Sequence, residues 1–175
     1  MNNLEHFRKI KAFIFDVDGV LSDSNLFVFE QGKIVRQLYQ KDLFAIKKAI
    51  DNGFRIAVIS GGNLDTLIQT FKGLGIVDIY EKSRNKKEDF DDFKLTYQVE
   101  NENILYMGDD LPDYAVMRVV GLATCPINAA PEIRDIAQYH SPYKGGEGCV
   151  RDVIEKVLKL RKVWKLESFT QEKLQ

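Results

Sequence analysis

Cysteine is nearly absent. Cys125 and Cys149 are the whole complement and form no C-x-x-C pair, so the chain carries no disulfide framework, and a reducing cytoplasm is the expected setting. Histidine is as scarce. His6 and His140 stand isolated and read as surface or packing residues rather than ligands. An excess of either charge is also missing. Lys and Arg number 25 against 26 Asp and Glu, for a formal net charge of −1, which gives no global field to attract nucleic acid or an anionic membrane. No apolar run is long enough to span a bilayer, and residues 1–11 lack the apolar core of a signal peptide. There is no internal repeat and no low-complexity linker. What is present is an ordinary globular composition, 45% hydrophobic and 29% charged, in 175 residues, enough for one domain with a sizeable core.

Periodicity sets out the elements. Ala12–Asp16 reads as a strand, and Leu26–Glu30 with Lys33–Tyr39 as a hairpin around Gln31-Gly32. Asp42–Asn52 has helical spacing and Gly53 as its stop; Arg55–Ser60 is a buried-type strand, and Leu64–Leu74 an amphipathic helix ended by Gly75. The alternation continues with strands near Val77–Tyr80, Ile104–Gly108 and Leu122–Cys125, and helices near Lys87–Gln98, Pro112–Val119, Pro131–Ile136 and Val150–Leu160. Strands alternating with helices predict an α/β fold, a Rossmann-like three-layer sandwich around a mostly parallel sheet, with the hairpin (about 25–39) projecting from it. One domain over 1–164 and a polar tail over 165–175 are expected.

The apolar run Phe13-Ile14-Phe15 ends in two acids one residue apart, Asp16-Val17-Asp18-Gly19. Strand alternation sends both carboxylates to one side, and Gly19 allows a sharp turn. Carboxylates clustered where a strand leaves the sheet suit Mg²⁺, and one of them could act as a covalent nucleophile. Ser60, in Ser60-Gly61-Gly62-Asn63, ends a second strand with a hydroxyl and free N–H groups that suit phosphate oxygens. Lys86 or Lys87 offers a cation. Gly108-Asp109-Asp110-Leu111-Pro112-Asp113 returns acids at a third strand end, suited to completing a metal site. In parallel sheets ligands bind beyond the carboxyl ends of the strands, where Asp16, Ser60 and Asp109 all fall. Taken alone, Ser60-Gly61-Gly62 could be a turn with a helix cap, and either lysine could be solvated surface.

The order of these stations resembles the haloacid dehalogenase superfamily of phosphotransferases across about residues 10–160, most specifically in Asp16-Val17-Asp18-Gly19-Val20-Leu21. The resemblance implies that Asp16 attacks phosphorus and Asp18 protonates the leaving oxygen. It implies that Ser60 and a lysine, Lys86 by its position after Asn85, hold the phosphoryl group. Asp16, the Asp18 backbone carbonyl and Asp109 would surround Mg²⁺, with Asp113 and Asp110 orienting from behind. The intervals Asp16 to Ser60 and Lys86 to Asp109 are used up by the elements already assigned, leaving no room for a cap domain.

More locally the chain is similar to the capless 3-deoxy-D-manno-octulosonate 8-phosphate phosphatases. The matching segments are Asp16–Asp23, the hairpin ahead of Lys41-Asp42, Gly108–Asp113 and Gly145-Gly146-Glu147-Gly148-Cys149-Val150-Arg151. That likeness implies a cytoplasmic homotetramer acting on a phosphorylated sugar acid of lipopolysaccharide synthesis, and the apolar residues on both faces of the hairpin, notably Leu26, Phe27, Val28 and Phe29, predict assembly through it. Lys41, Asp42, Gly61, Gly62 and Asn63 are the candidate substrate contacts. The sequence departs from the pattern at Gly62, where an arginine is usual, at Asp42-Leu43-Phe44-Ala45-Ile46, which lacks the usual glycines, and at Lys82-Ser83-Arg84-Asn85-Lys86, which carries extra charge. Two other readings stand beside the first: a nine-carbon 9-phosphate substrate, and a noncatalytic tetramerising scaffold.

Overall fold

Strand β1 (Ala12–Phe15) is buried along its whole length, which is why its sequence is an unbroken apolar run rather than an alternating one. It is central in a six-stranded sheet whose strands all pair in parallel. On one side lie β4 (Arg55–Ile59) and then β5 (Asp78–Tyr80). On the other lie β6 (Ile104–Met107), β7 (Leu122–Cys125) and β8 (Tyr139–His140). The register sets Phe13 beside Ile56 and Leu105. A separate two-stranded antiparallel hairpin is formed by β2 (Phe27–Val28) and β3 (Ile34–Val35). The structure is a computed structural model and describes residues 3–165.

Successive side chains of β1 divide between two cores. Phe13 and Phe15 pack under α1 (Asn3–Lys9), α2 (Gln40–Asp51), α3 (Ile68–Leu74) and α7 (Cys149–Leu160), against Phe7, Ile46, Phe71 and Ile154. Ala12 and Ile14 face α4 (Lys86–Tyr97), α5 (Tyr114–Met117) and α6 (Pro131–Ile136), against Phe90, Phe93, Val116 and Ile133. Each fully buried aromatic or branched aliphatic contributes about 1.5–3 kcal/mol, so this three-layer arrangement fixes the strand ends that carry the polar residues. Among the described residues no helix is long and apolar enough to cross a membrane.

Three local expectations are corrected. The hairpin strands were expected to run to Glu30 and from Lys33 to Tyr39, yet only Phe27–Val35 and Val28–Ile34 pair. A 3₁₀ turn over Glu30–Gly32, with Gln31 at φ 61°, takes up the first strand's end. Beyond Val35 the chain turns inward to bury Arg36, which ends the ladder. The segment Pro112–Val119 is a 3₁₀ turn (Leu111–Asp113) running into the short α5, and regular helix α3 begins only at Ile68. Two elements were not expected: α1, which buries Phe7 edge-on against Tyr139 at 5.2 Å, and the edge strand β8. The proposed tail lies outside the described residues save for Lys165.

Candidate active site

Asp16, Ser60 and Asp109 follow the carboxyl ends of β4's neighbour β1, of β4 and of β6, three adjacent strands, and all three line one cavity of about 530 Å³. Asp18, Gly61, Gly62, Lys86 and Asp110 line it too. The turn after β1 and the segment after β6 nearly touch. A Cβ on Gly19, which sits at φ +93°, would lie 1.9 Å from an Asp109 carboxylate oxygen, so only glycine admits this approach.

Lys86 is the lysine that reaches the acids. Its Nζ lies 2.9 Å from Asp16 Oδ1 and 2.7 Å from Asp113 Oδ1, and the side chain is buried. Lys87 points away and pairs with Asp91 one helical turn on. The side chain of Asn85 caps α4 by accepting from Lys87 N at 3.1 Å, which sets Lys86 on the inward side of the first turn. Burial alone would push the Lys86 ammonium down, but the Asp16 and Asp113 carboxylates outweigh it and hold it above its ordinary value.

Asp113 is fully committed. Its Oδ1 accepts from Lys86 and from Tyr106 Oη at 2.6 Å; its Oδ2 accepts from Asp109 N at 3.0 Å and Asp110 N at 3.3 Å. It thus orients both the lysine and the Asp109 backbone. Asp110 caps the 3₁₀ turn by accepting from Leu111 N, in a reciprocal capping box with Asp113.

Carboxylate oxygens of Asp16, Asp109 and Asp113 all lie within 4.8 Å of one another. Burial pushes the Asp16 carboxyl well above the usual range, Asp113 adds to it, and Lys86 opposes both. Burial and then Asp113 raise Asp109 to about 7. Asp109 Oδ1 is buried without a hydrogen-bond partner among the described residues. An unpartnered hard oxygen inside a crowd of repelling acids fits a divalent cation, which would satisfy it and favour the ionised acids.

Asp18 lines the cavity but its carboxylate is gripped by Arg36, a residue sequence reasoning did not single out. Arg36 Nε donates to Asp18 Oδ1 at 2.5 Å and Nη2 to Oδ2 at 3.0 Å, while Nη1 donates to the Asn63 carbonyl at 3.0 Å. The hairpin is thereby tied to two strand-end loops. Arg36 also accounts for the glycine at 62: a Cβ there would lie 2.7 Å from Arg36 Nη2. Ser60 is buried, and its hydroxyl accepts from Gly62 N at 3.1 Å, holding the loop open toward the cavity.

Three candidate substrate contacts are not brought to this cavity. Lys41 lines a different cleft of about 440 Å³ with Tyr39, Tyr143 and Arg151. Asp42 is fully buried, and its oxygens accept from Gly148 N at 3.2 Å and Arg151 N at 2.6 Å, capping α7 from a distance. Asn63 spends its side chain on Asp65 and its carbonyl on Arg36.

Acids at the ends of adjacent parallel strands, with a buried lysine between them, are those of a metal-assisted phosphoryl-transfer site. A family profile of haloacid dehalogenase-like hydrolases matches residues 65–153. The chain is 34% identical over 149 residues to the 3-deoxy-D-manno-octulosonate 8-phosphate phosphatase of Salmonella typhi, spanning 85% of this chain and 79% of that protein. The crystal structure of the corresponding Yersinia pestis phosphatase superposes with a TM-score of 0.89 at 31% identity, over 91% of this chain and 86% of that one. That of Moraxella catarrhalis, in complex with magnesium ion, phosphate ion and a KDO molecule, superposes with a TM-score of 0.91 at 28% identity, over 98% and 99%. This chain belongs to the haloacid dehalogenase-like hydrolases.

Proposed function

We propose that this protein is a Mg²⁺-dependent phosphatase that hydrolyses 3-deoxy-D-manno-octulosonate 8-phosphate through an aspartyl-phosphate on Asp16. The observation that carries the reading is the convergence of Asp16, Asp109 and Lys86 in a cavity also lined by Ser60, with Asp113 buried behind Lys86 and one Asp109 oxygen unpartnered among the described residues. Similarity to phosphatases of that substrate supports the choice of sugar acid.

The residues divide the work in a way their contacts support. Asp16, held at one oxygen by Lys86 and by Val17 N at 2.7 Å, keeps its carboxylate oriented for in-line attack on phosphorus. Lys86, the Ser60 hydroxyl and the N–H groups of the Gly61-Gly62 turn hold the phosphoryl oxygens. Asp18 gives a proton to the departing sugar oxygen and then takes one from the water that opens the aspartyl-phosphate. Among the described residues its Oδ2 accepts a single N–H, from Arg36, which leaves a lone pair there for that proton. Asp16, Asp109 and the Asp18 carbonyl are the residues that would hold Mg²⁺, whose charge offsets the repulsion between nucleophile and phosphate. Asp113 and Asp110 hold Lys86 and the Asp109 segment in place. A noncatalytic scaffold would have no use for buried acids that repel one another.

The enzyme is further proposed to work in the cytoplasm, in keeping with two buried free cysteines, and as a homotetramer built through its hairpin. Phosphate release from a panel of eight- and nine-carbon sugar acid phosphates, with and without Mg²⁺, tests the reading. The expected result is Mg²⁺-dependent turnover with the octulosonate 8-phosphate preferred. Preference for the nine-carbon 9-phosphate would move the substrate assignment, and no release from any of them would end it.

A further inference from the structure

Among the described residues two cations line the active-site cavity, Lys86 and Arg84, and a third, Arg36, pairs with its Asp18. Lys86 is buried between Asp16 and Asp113. Arg36 lies behind the cavity wall, its side chain only 2% exposed, engaged by Asp18 and the Asn63 carbonyl. Arg84 is different. It lines the cavity, it is exposed, and among the described residues its side chain has no hydrogen bond, ion pair or ring contact.

The backbone beneath it is nevertheless well anchored. Lys82 N donates to the Gly62 carbonyl at 3.0 Å and Ser83 N to the Ser60 carbonyl at 3.0 Å, so the two loops run side by side. The Ser83 hydroxyl bonds to Asp89, and Asn85 caps α4. Arg84 is thus a free guanidinium on a fixed base, beside the Gly61-Gly62 turn. Position 62 is glycine and supplies no charge, and a Cβ there would crowd Arg36 Nη2 at 2.7 Å.

The charges ask for a partner at this place. The other ionisable residues lining the cavity are Asp16, Asp18, Asp109, Asp110 and the neutralised Lys86. A sugar acid phosphate brings a carboxylate as well as the phosphate, and the phosphate end would be met by Lys86 and Ser60, with Mg²⁺ held by the acids beside them. The carboxylate end would meet a lining with more acids than cations, in which Arg84 is the cation left unpaired among the described residues. We propose that Arg84 binds the substrate carboxylate through its two-pronged guanidinium and is a determinant of sugar-acid specificity, an inference that rests on the phosphatase reading above.

Steady-state kinetics of the full chain with Mg²⁺ test this on the octulosonate 8-phosphate and on glucose 6-phosphate, which lacks a carboxylate. Arg84→Ser should lower the kcat/KM ratio of acid over neutral substrate about tenfold to a hundredfold, mainly through KM for the acid. Arg84→Lys, which keeps the charge and loses the fork, should fall between. Equal losses on both substrates, or an unchanged ratio, would overturn the inference while leaving the phosphatase assignment intact. If the parent enzyme shows no preference for the carboxylate, the substrate reading and this inference fall together.

Discussion

At the residue scale, the candidate site is a set of acids that are costly to bury and useful only together. Asp16→Asn keeps the shape of the proposed nucleophile and removes its charge, so turnover should fall by more than about a thousandfold with the circular dichroism spectrum unchanged. Activity within tenfold of the parent would remove the covalent route. Asp109→Ala should raise the Mg²⁺ concentration for half-activation at least about 10–100-fold, as loss of even an outer partner does; an unmoved titration would point to Asp110 instead. Asp42 is predicted to behave differently, because it caps α7 and does not line the cavity. Burial raises its carboxyl from 3.8 to about 6 against the pull of two N–H bonds. Between those values the folded protein keeps a proton that the unfolded chain has released, so this residue's contribution to stability falls as pH rises from about 4 to 6 and is flat above. Relative to Asp42→Asn, which cannot ionise, the parent should lose up to about 3 kcal/mol across that window, read by urea denaturation at stepped pH. KM for the sugar acid should not change, and a rise would restore Asp42 as a substrate contact. The acids of the site were legible because each follows a strand-like run. Arg36 was not, since a lone arginine among Val35 and Gln37 carries no sign in one dimension of the distant Asp18 it meets.

At the scale of elements, the central strands were legible because burial on both faces writes itself as uninterrupted runs such as Phe13-Ile14-Phe15 and Ala57-Val58-Ile59. Helix α1 was hidden by its brevity, as the seven residues Asn3–Lys9 commit chiefly one of them, Phe7, to the core. Strand β8 has two residues and is defined by its neighbour β7 rather than by its own pattern. The hairpin shows the opposite error. Its β-branched and aromatic content suggested long strands, while the inward turn at Arg36 and the left-handed Gln31 leave two pairs. What fixes the hairpin to the body is then the Arg36 clamp, together with Thr66 Oγ1 donating to the Ile34 carbonyl at 3.1 Å. Arg36→Ala should lower the local opening free energy by about 1.5–3 kcal/mol, the range for hydrogen bonds to charged groups. Amide exchange over residues 27–35 should accelerate about tenfold to a hundredfold, with β1 and β6 unchanged. Exchange that stays slow would show that the hairpin is held by something other than this pair.

At the scale of the whole molecule, the same hairpin poses a problem that a single chain leaves unsolved. Leu26, Phe27, Val28 and Phe29 are consecutive, apolar and 45%, 52%, 69% and 58% exposed. Four such neighbours form the kind of contiguous patch that marks an interaction surface, and a two-paired hairpin in water is marginal. Heterologous pairing of exposed strand edges would run on into fibres, whereas closure about a symmetry axis covers the patch and stops growth. Closure would also set a neighbour's hairpin beside a cavity that has no cap domain, and exclusion of water there strengthens each charge contact. The proposed homotetramer answers both needs. Light scattering at micromolar concentration should give four chains of 20.1 kDa. Phe29→Lys, which puts a charge into the patch without touching Arg36 or the acids, should shift the mass toward smaller species while the circular dichroism spectrum holds. If shielding matters, kcat/KM of that variant should fall along with its mass. A parent protein that is monomeric and fully active would sink both the assembly and the shielding argument; a variant that dissociates yet keeps full activity would sink the shielding alone.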